Sequence, residues 1–276
     1  MKNSQQKFQV ANLEQSIRTA YETEGVYKAD TICHRLNEQS KEYADRLLLE
    51  KLRTVRRHLA DGLLVDLCCA TGEHLFTLAD VADNCLGIDF SRPYIDRANQ
   101  RSKKLGLSHV KFEVGDAKNL PLGIGSVATL YSFSALYAIP DVDVVIREIS
   151  RVLRDGGRCV LDLGNSKSLN SICVKAYTEL PPTFHITVPE MQRICERHGL
   201  KIIEHRSFQL LPLWADKPRW LWPLLHPVWK RIMAIRLKEK MVDEWLSSSR
   251  LLRVFAFRHL LVCEKSIKDC RSNVCS

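Results

Sequence analysis

The sequence contains no run of about 18 uninterrupted apolar residues, the length that a membrane-crossing helix needs. Its most apolar stretch, Phe208 to Trp229, is broken by Asp216, Lys217, Arg219 and several prolines. Met1 to Gln9 is polar and offers no apolar signal core. Among ten cysteines there is no Cys-x-x-Cys pair and no repeating spacing, so neither a zinc site nor a disulfide scaffold is expected. Several of them (Cys68, Cys69, Cys85, Cys159 and Cys263) lie in apolar runs, where a thiol packs as a small hydrophobe. A reducing, cytoplasmic setting without a bound metal is the expectation. A Gly-x-Gly-x-x-Gly turn is also missing, as are internal repeats and low-complexity tracts.

What is present is an ordinary soluble composition, 45% apolar and 26% charged over 276 residues, enough for a full core. The formal charge of +9 is unevenly placed. Residues 201–276 hold 15 Lys and Arg against 7 Asp and Glu, and the rest of the chain is close to neutral. All five tryptophans fall in the same region. Cationic and aromatic side chains together suggest an anionic or amphipathic partner.

Residues 1–26 read as a loosely held leader with some helix. A helical pattern runs from Tyr27 to Leu59, with Leu47, Leu48, Leu49, Leu52 and Val55 recurring among charges. After Asp61-Gly62 the chain alternates. Short apolar runs at 63–67, 84–89, 109–114, 127–133 and 158–163 are separated by helical patterns at 73–82, 92–105 and 141–154. Such alternation predicts right-handed crossovers and a largely parallel sheet. Asp155-Gly156-Gly157 is expected to end the last of these helices. Thr187 and Glu190 fit a capping box at the start of another. Two more strands are expected at 201–208 and 254–263, around a tryptophan-rich insertion.

Chemistry concentrates at the strand ends. The first strand enters the turn Cys68-Cys69-Ala70-Thr71-Gly72, and Glu73 opens the following helix. A pyrophosphate would want more glycine and no carboxylate there. A cationic ligand with an ammonium and a sulfonium tolerates both, so the turn suits S-adenosylmethionine (SAM) better than NAD. The second strand ends at Asp89, 17 residues after Gly72, near the separation of about 20 at which an acid accepts from ribose hydroxyls. The third ends in Gly115-Asp116-Ala117, where an acid can meet an adenine amino group. The fourth runs through Ser132 to Tyr137 at the switch point of an open sheet.

These segments, in this order, resemble the class I SAM-dependent methyltransferases, and most of all the ubiquinone/menaquinone-type and type 11 small-molecule group. The likeness covers roughly residues 43–164 and the end near 254–265. It implies a Rossmann-like, doubly wound α/β fold with a mostly parallel seven-stranded sheet and an antiparallel last strand. N-terminal cap helices (1–60), a SAM-binding core (61–208), a helical insertion (209–250) and a final strand with tail (251–276) would make up the chain. Asp66, Cys68 and Gly72 would line the methionine part of SAM. Asp89 would take the ribose, Phe90 would pack on adenine, Asp116 and Ala117 would hold its edge, and Ser132 would lie beside the cofactor. Ala70 departs from the family, which usually has glycine there.

Methyl transfer from SAM needs mainly position and a dry site, and an acceptor hydroxyl or acidic carbon also needs a base. His185 is the first choice for a base or an orienting group, with Tyr137 and His74 as lesser ones. Cys68 and Cys69 read as packing residues rather than nucleophiles. The expected reaction is methyl transfer to oxygen or carbon of a small or lipid-like acceptor in small-molecule biosynthesis. Residues 209–250 would form a packed cover, an acceptor lid or a peripheral membrane surface. An RNA or protein methyltransferase using the basic region, or a non-catalytic SAM-fold partner protein, are the alternatives.

Overall fold

The computed structural model describes residues 10–15, 17–19, 41–177 and 183–267. Of the helix expected from Tyr27 to Leu59, the part before residue 41 lies outside them. Leu47, Leu52 and Val55 on one stripe, with charges between, make α1 (Lys41–His58) an amphipathic helix whose apolar side is buried. The strands that follow are β1 (Leu64–Leu67), β2 (Cys85–Asp89), β3 (Val110–Val114), β4 (Val127–Ser132), β5 (Leu153–Gly164), β6 (Leu200–Phe208), the two-residue β7 (Arg236–Leu237) and β8 (Lys240–Met241), and β9 (Arg258–Lys265). The helices between them are α2 (Glu73–Leu78), α3 (Arg92–Leu105), α4 (Val142–Val152), α5 (Leu169–Val174), α6 (Val188–Arg197), α7 (Trp222–Leu225), α8 (Val228–Ala234) and α9 (Val242–Ser247).

The main sheet has seven strands in the order β3-β2-β1-β4-β5-β9-β6. β1 to β5 pair in parallel, and β9 runs antiparallel between β5 and β6. The expected fold class, antiparallel last strand and insertion before it are all present. β1, β2 and β4 are buried along their whole length, as befits strands covered on both faces. One apolar cluster packs α1 and α8 on one face of the sheet, and a second packs α4 and α6 on the other.

Three local expectations need correcting. The helix ahead of Asp155-Gly156-Gly157 already ends at Val152, because Leu153 turns extended and enters β5. Thr187 does stand at the N-cap of α6, but its side chain makes no capping bond. Pro189 in that first turn has no N–H to satisfy, which lessens the need for one. The insertion is not purely helical, since β7 and β8 form a small antiparallel ribbon within it.

The leader is also anchored more firmly than its polarity suggests. Residues 10–15 and 17–19 are helical, Glu14 pairs with Lys118, and Arg18 reaches Asp116 at 2.6 Å.

Candidate active site

The order β3-β2-β1-β4 places the topological switch point between β1 and β4, where open α/β sheets bind ligands outside the carboxyl ends of their strands. Two independent features mark that edge. Three of the five described non-glycine residues with positive φ lie there, namely Cys68 (62°), Ala70 (46°) and Ser134 (54°). Strain of this kind gathers where a backbone is held for function. Moreover, among the described residues, most buried side-chain atoms lacking a hydrogen-bond partner belong to the same region: Asp66 Oδ2, Tyr131 Oη, Ser132 Oγ, Asp162 Oδ1, His185 Nδ1 and Arg258 Nη1. Native proteins leave few such atoms unsatisfied.

The turn after β1 is shaped by its backbone. Cys68 and Cys69 donate their N–H groups to Ile88 (2.7 and 3.1 Å), and Gly72 caps α2 at φ 81°. A Cβ on Gly72 would come within 2.5 Å of the Phe112 ring, so this position requires glycine twice over. Asp89 ties the turn to β2: one carboxylate oxygen accepts from Ala70 N–H (3.0 Å) and the other from Ser91 N–H (2.9 Å).

Ala70 adopts the left-handed conformation that a glycine would take freely, which explains the family's preference there. Replacing it should therefore do no harm. Ala70→Gly is expected to stabilise the protein by up to about 1 kcal/mol, because the strain relieved exceeds the extra chain entropy. Thermal unfolding with and without SAM checks this, and a lower Tm contradicts it.

The other cofactor candidates fall as follows. Asp66 is buried mid-sheet opposite Tyr131. Burial holds its carboxyl well above the usual carboxylate range, and the Tyr131 hydroxyl only partly offsets this. The Cys68 thiol is pushed up by burial and by the carboxylates of Asp89, Asp66 and Asp116, so it stays protonated and is no nucleophile. Ser132 is fully buried at the end of β4. Ala117 buries its methyl in the core, leaving its backbone to meet a ligand. Phe90 and Asp116 are joined by Arg18, whose guanidinium lies 5.3 Å from the Phe90 ring. Burial works to raise the Asp116 carboxyl, but the Lys118 N–H and Arg18 outweigh it and hold it low. One arginine from the leader thus covers both groups assigned to adenine.

On the other side of the switch point, Tyr137 and His185 are brought together with ring centroids 5.4 Å apart. His185 lies over Gly164, where any Cβ would overlap its ring. Burial and the nearby Arg258 push its imidazole down to about 4, so it is neutral at pH 7. His74, packed edge-on against Phe133, is lowered to about 4 by burial and by Lys51.

Sequence reasoning missed the charged part of this site. Lys51 of α1 reaches Asp162 near the end of β5 at 2.6 Å, with both side chains buried. Ser134 donates to the same oxygen through its N–H and its hydroxyl, each at 3.2 Å, and Arg258 stands 3.5 Å from it. Burial would raise the Asp162 carboxyl, yet Lys51 and Arg258 hold it down at about 2. A carboxylate inside the apolar run Cys159-Val160-Leu161-Asp162-Leu163 was the one available signal. Lys51 gave none, being one basic residue among many on a helix.

The arrangement suits SAM on its own evidence: a tight turn without room for side chains, an acid fixed at the end of β2, and orphaned polar atoms on β1 and β4. A model of a methyltransferase domain family matches residues 60–219. The 27-O-demethylrifamycin SV methyltransferase of Amycolatopsis mediterranei (strain S699) is 34% identical over 122 residues, covering 44% of this chain and 45% of that protein. The demethylmenaquinone methyltransferase of Lactococcus lactis subsp. lactis (strain IL1403) is 34% identical over 117 residues, covering 41% and 46%. The match thus spans about half the length of these curated relatives. In fold, the chain resembles the geranyl diphosphate C-methyltransferase of Streptomyces coelicolor A3(2), with a TM-score of 0.55, 19% identity and coverage of 78% and 75%. By its sheet, its glycine-capped turn and the family model covering more than half of it, the chain belongs to the class I SAM-dependent methyltransferases.

Proposed function

We propose that this protein transfers a methyl group from SAM to oxygen or carbon of a small, amphipathic acceptor. The observation that carries the reading is the run of orphaned buried polar atoms from β1 across β4 to His185, which spans a cofactor half and an acceptor half. The relatives' names, which mention rifamycin and menaquinone precursors, agree with an acceptor of this kind. When bound, SAM supplies a methyl carbon made electrophilic by its sulfonium. The chain's part is to hold and shield. Asp66, Cys68 and Gly72 face the methionine portion, Asp89 the ribose, Phe90, Asp116 and Ala117 the adenine, and Ser132 the ground between the halves. On the acceptor side, neutral His185 offers Nδ1 to an acceptor hydroxyl, and Tyr137 supports its ring.

His185→Ala is expected to lower kcat/KM by about 100-fold while leaving SAM affinity unchanged. Release of S-adenosylhomocysteine across a panel of quinols, phenols and polyketide-like alcohols reads the first. Calorimetry reads the second. Full activity in the variant would remove His185 from the reaction.

The insertion supports a second element, peripheral contact with an anionic membrane. Trp214 and Trp229 turn inward, donating to Asn170 (2.7 Å) and to the Pro223 carbonyl (2.9 Å). Trp220, Trp222 and Trp245 are left 70%, 53% and 50% exposed, among Arg219, Lys230, Arg231 and Lys240. Amphipathic rings beside cations suit a headgroup layer. No described helix is long and apolar enough to cross a membrane. Co-sedimentation with phosphatidylserine vesicles is expected, falling about tenfold in Trp220→Ala/Trp222→Ala. Equal binding to neutral vesicles would argue for a lid or cover instead.

A further inference from the structure

The acceptor half of the site carries two cations and one carboxylate. Lys51 and Arg258 both turn to Asp162, and neither makes another ion pair among the described residues. Three hydrogen-bond donors crowd a single oxygen, Asp162 Oδ2, with Arg258 in ion-pair range of it, while Oδ1 has no partner. The three histidines that feel Asp162 (His74, His185 and His259) are each lowered to about 4, chiefly by burial, and are neutral at pH 7. Two cationic side chains thus face one carboxylate in a region where Lys51 is 6% exposed and Asp162 1%, and burial and Arg258 both work to lower the Lys51 ammonium against the pull of Asp162. An unpaired buried charge is costly unless something answers it. The aromatic surroundings answer it only in part: Lys51 lies 5.5 Å from the Phe133 ring, and Arg258 lies 5.5 Å from Tyr137 and 4.8 Å from Phe257. Phe133 also touches His74, two residues past Gly72, so the charge sits beside the cofactor turn.

Resting on the transferase reading, we propose that Lys51 and Arg258 receive the acceptor as an oxyanion, a planar phenolate or enolate held between the aromatic rings. The proton leaves the acceptor hydroxyl for solvent when the acceptor binds, and the two cations keep the oxygen ionised. His185 then orients the acceptor oxygen rather than taking its proton, in keeping with so weakly basic an imidazole. Protonated amines are repelled by the same charge, and aliphatic alcohols are too weakly acidic to ionise there.

para-Nitrophenol is a direct probe, because its phenolate absorbs where the phenol does not. The full chain, saturated with S-adenosylhomocysteine, is titrated with it at a pH about one unit below the phenol's own pKa. The phenolate band is expected to grow on binding, with ionisation favoured at least tenfold over free solution. Arg258→Gln should lose most of that gain while binding S-adenosylhomocysteine as before. Lys51→Met should do the same, with circular dichroism confirming its fold. para-Nitroanisole, which has no ionisable hydroxyl, should bind at least tenfold more weakly. Absence of a phenolate band, equal binding of the anisole, or an unchanged band in both variants would overturn the proposal. Failure of the wild-type chain to bind S-adenosylhomocysteine would instead sink the transferase reading.

Discussion

Asp89→Ala is expected to weaken SAM binding by about 100-fold or more, equivalent to about 3 kcal/mol. On the proposed reading the residue would do two tasks at once. Its two oxygens already accept from Ala70 and Ser91, so the carboxylate holds the turn after β1 against the end of β2. A carboxylate oxygen can accept more than one hydrogen bond, so ribose hydroxyls would be able to share it with the turn. Hydrogen bonds to a charged acceptor are worth about 1.5–3 kcal/mol each, so losing both tasks adds up quickly. Asp89→Asn keeps one acceptor oxygen and should lose markedly less. Calorimetric titration with SAM, with NADH as a control, reads both variants. Near-normal affinity in the alanine variant, with its fold verified, would mean that the ribose is held elsewhere.

Asp162→Ala should be the most destabilising single change in the site. Removing it leaves Lys51 and Arg258 buried without a counter-charge, and breaking one side of a buried pair costs about 3–5 kcal/mol. Denaturant unfolding measures this. Replacing Lys51 by Met and Asp162 by Leu together should recover much of the loss, since an apolar pair needs no compensation. A full loss in the double variant would mean that Asp162 acts through Ser134 and Arg258 more than through Lys51.

The same residue predicts a pH dependence. Its folded pKa of about 2 lies below its ordinary value. Its contribution, about 2 kcal/mol, is therefore complete above roughly pH 4 and fades as pH falls toward 2.

Much of this was legible in the sequence because it follows from local rules. Alternating apolar runs and helical stripes specify a parallel sheet, and the acids at the ends of β2 and β3 stand in fixed relation to Gly72. Cys68 and Gly72, in the turn after β1, needed only that context. The charged cluster around Asp162 was not legible. Lys51, Asp162 and Arg258 come from α1, β5 and β9, elements that meet only in the folded chain. Their spacing in sequence obeys no period, and a lone lysine on an amphipathic helix looks like any solvated one. The failed capping box at Thr187 marks the opposite limit, a local pattern present in letters but unused because Pro189 changed the need for it.

β9 has a consequence for how the molecule is made. It comes after the whole insertion in the chain, yet it lies between β5 and β6. Until residues 258–265 leave the ribosome, β5 and β6 have no partner on the sides that face each other, and unpaired strand edges invite association with other chains. The parallel half, β1 to β5, can assemble early. Arg258 arrives only with β9, so the charged cluster around Asp162 is incomplete until that strand is in place. A nascent chain halted before Arg258 would carry a formed cofactor turn beside two open edges, the state from which aggregation or chaperone capture is most expected.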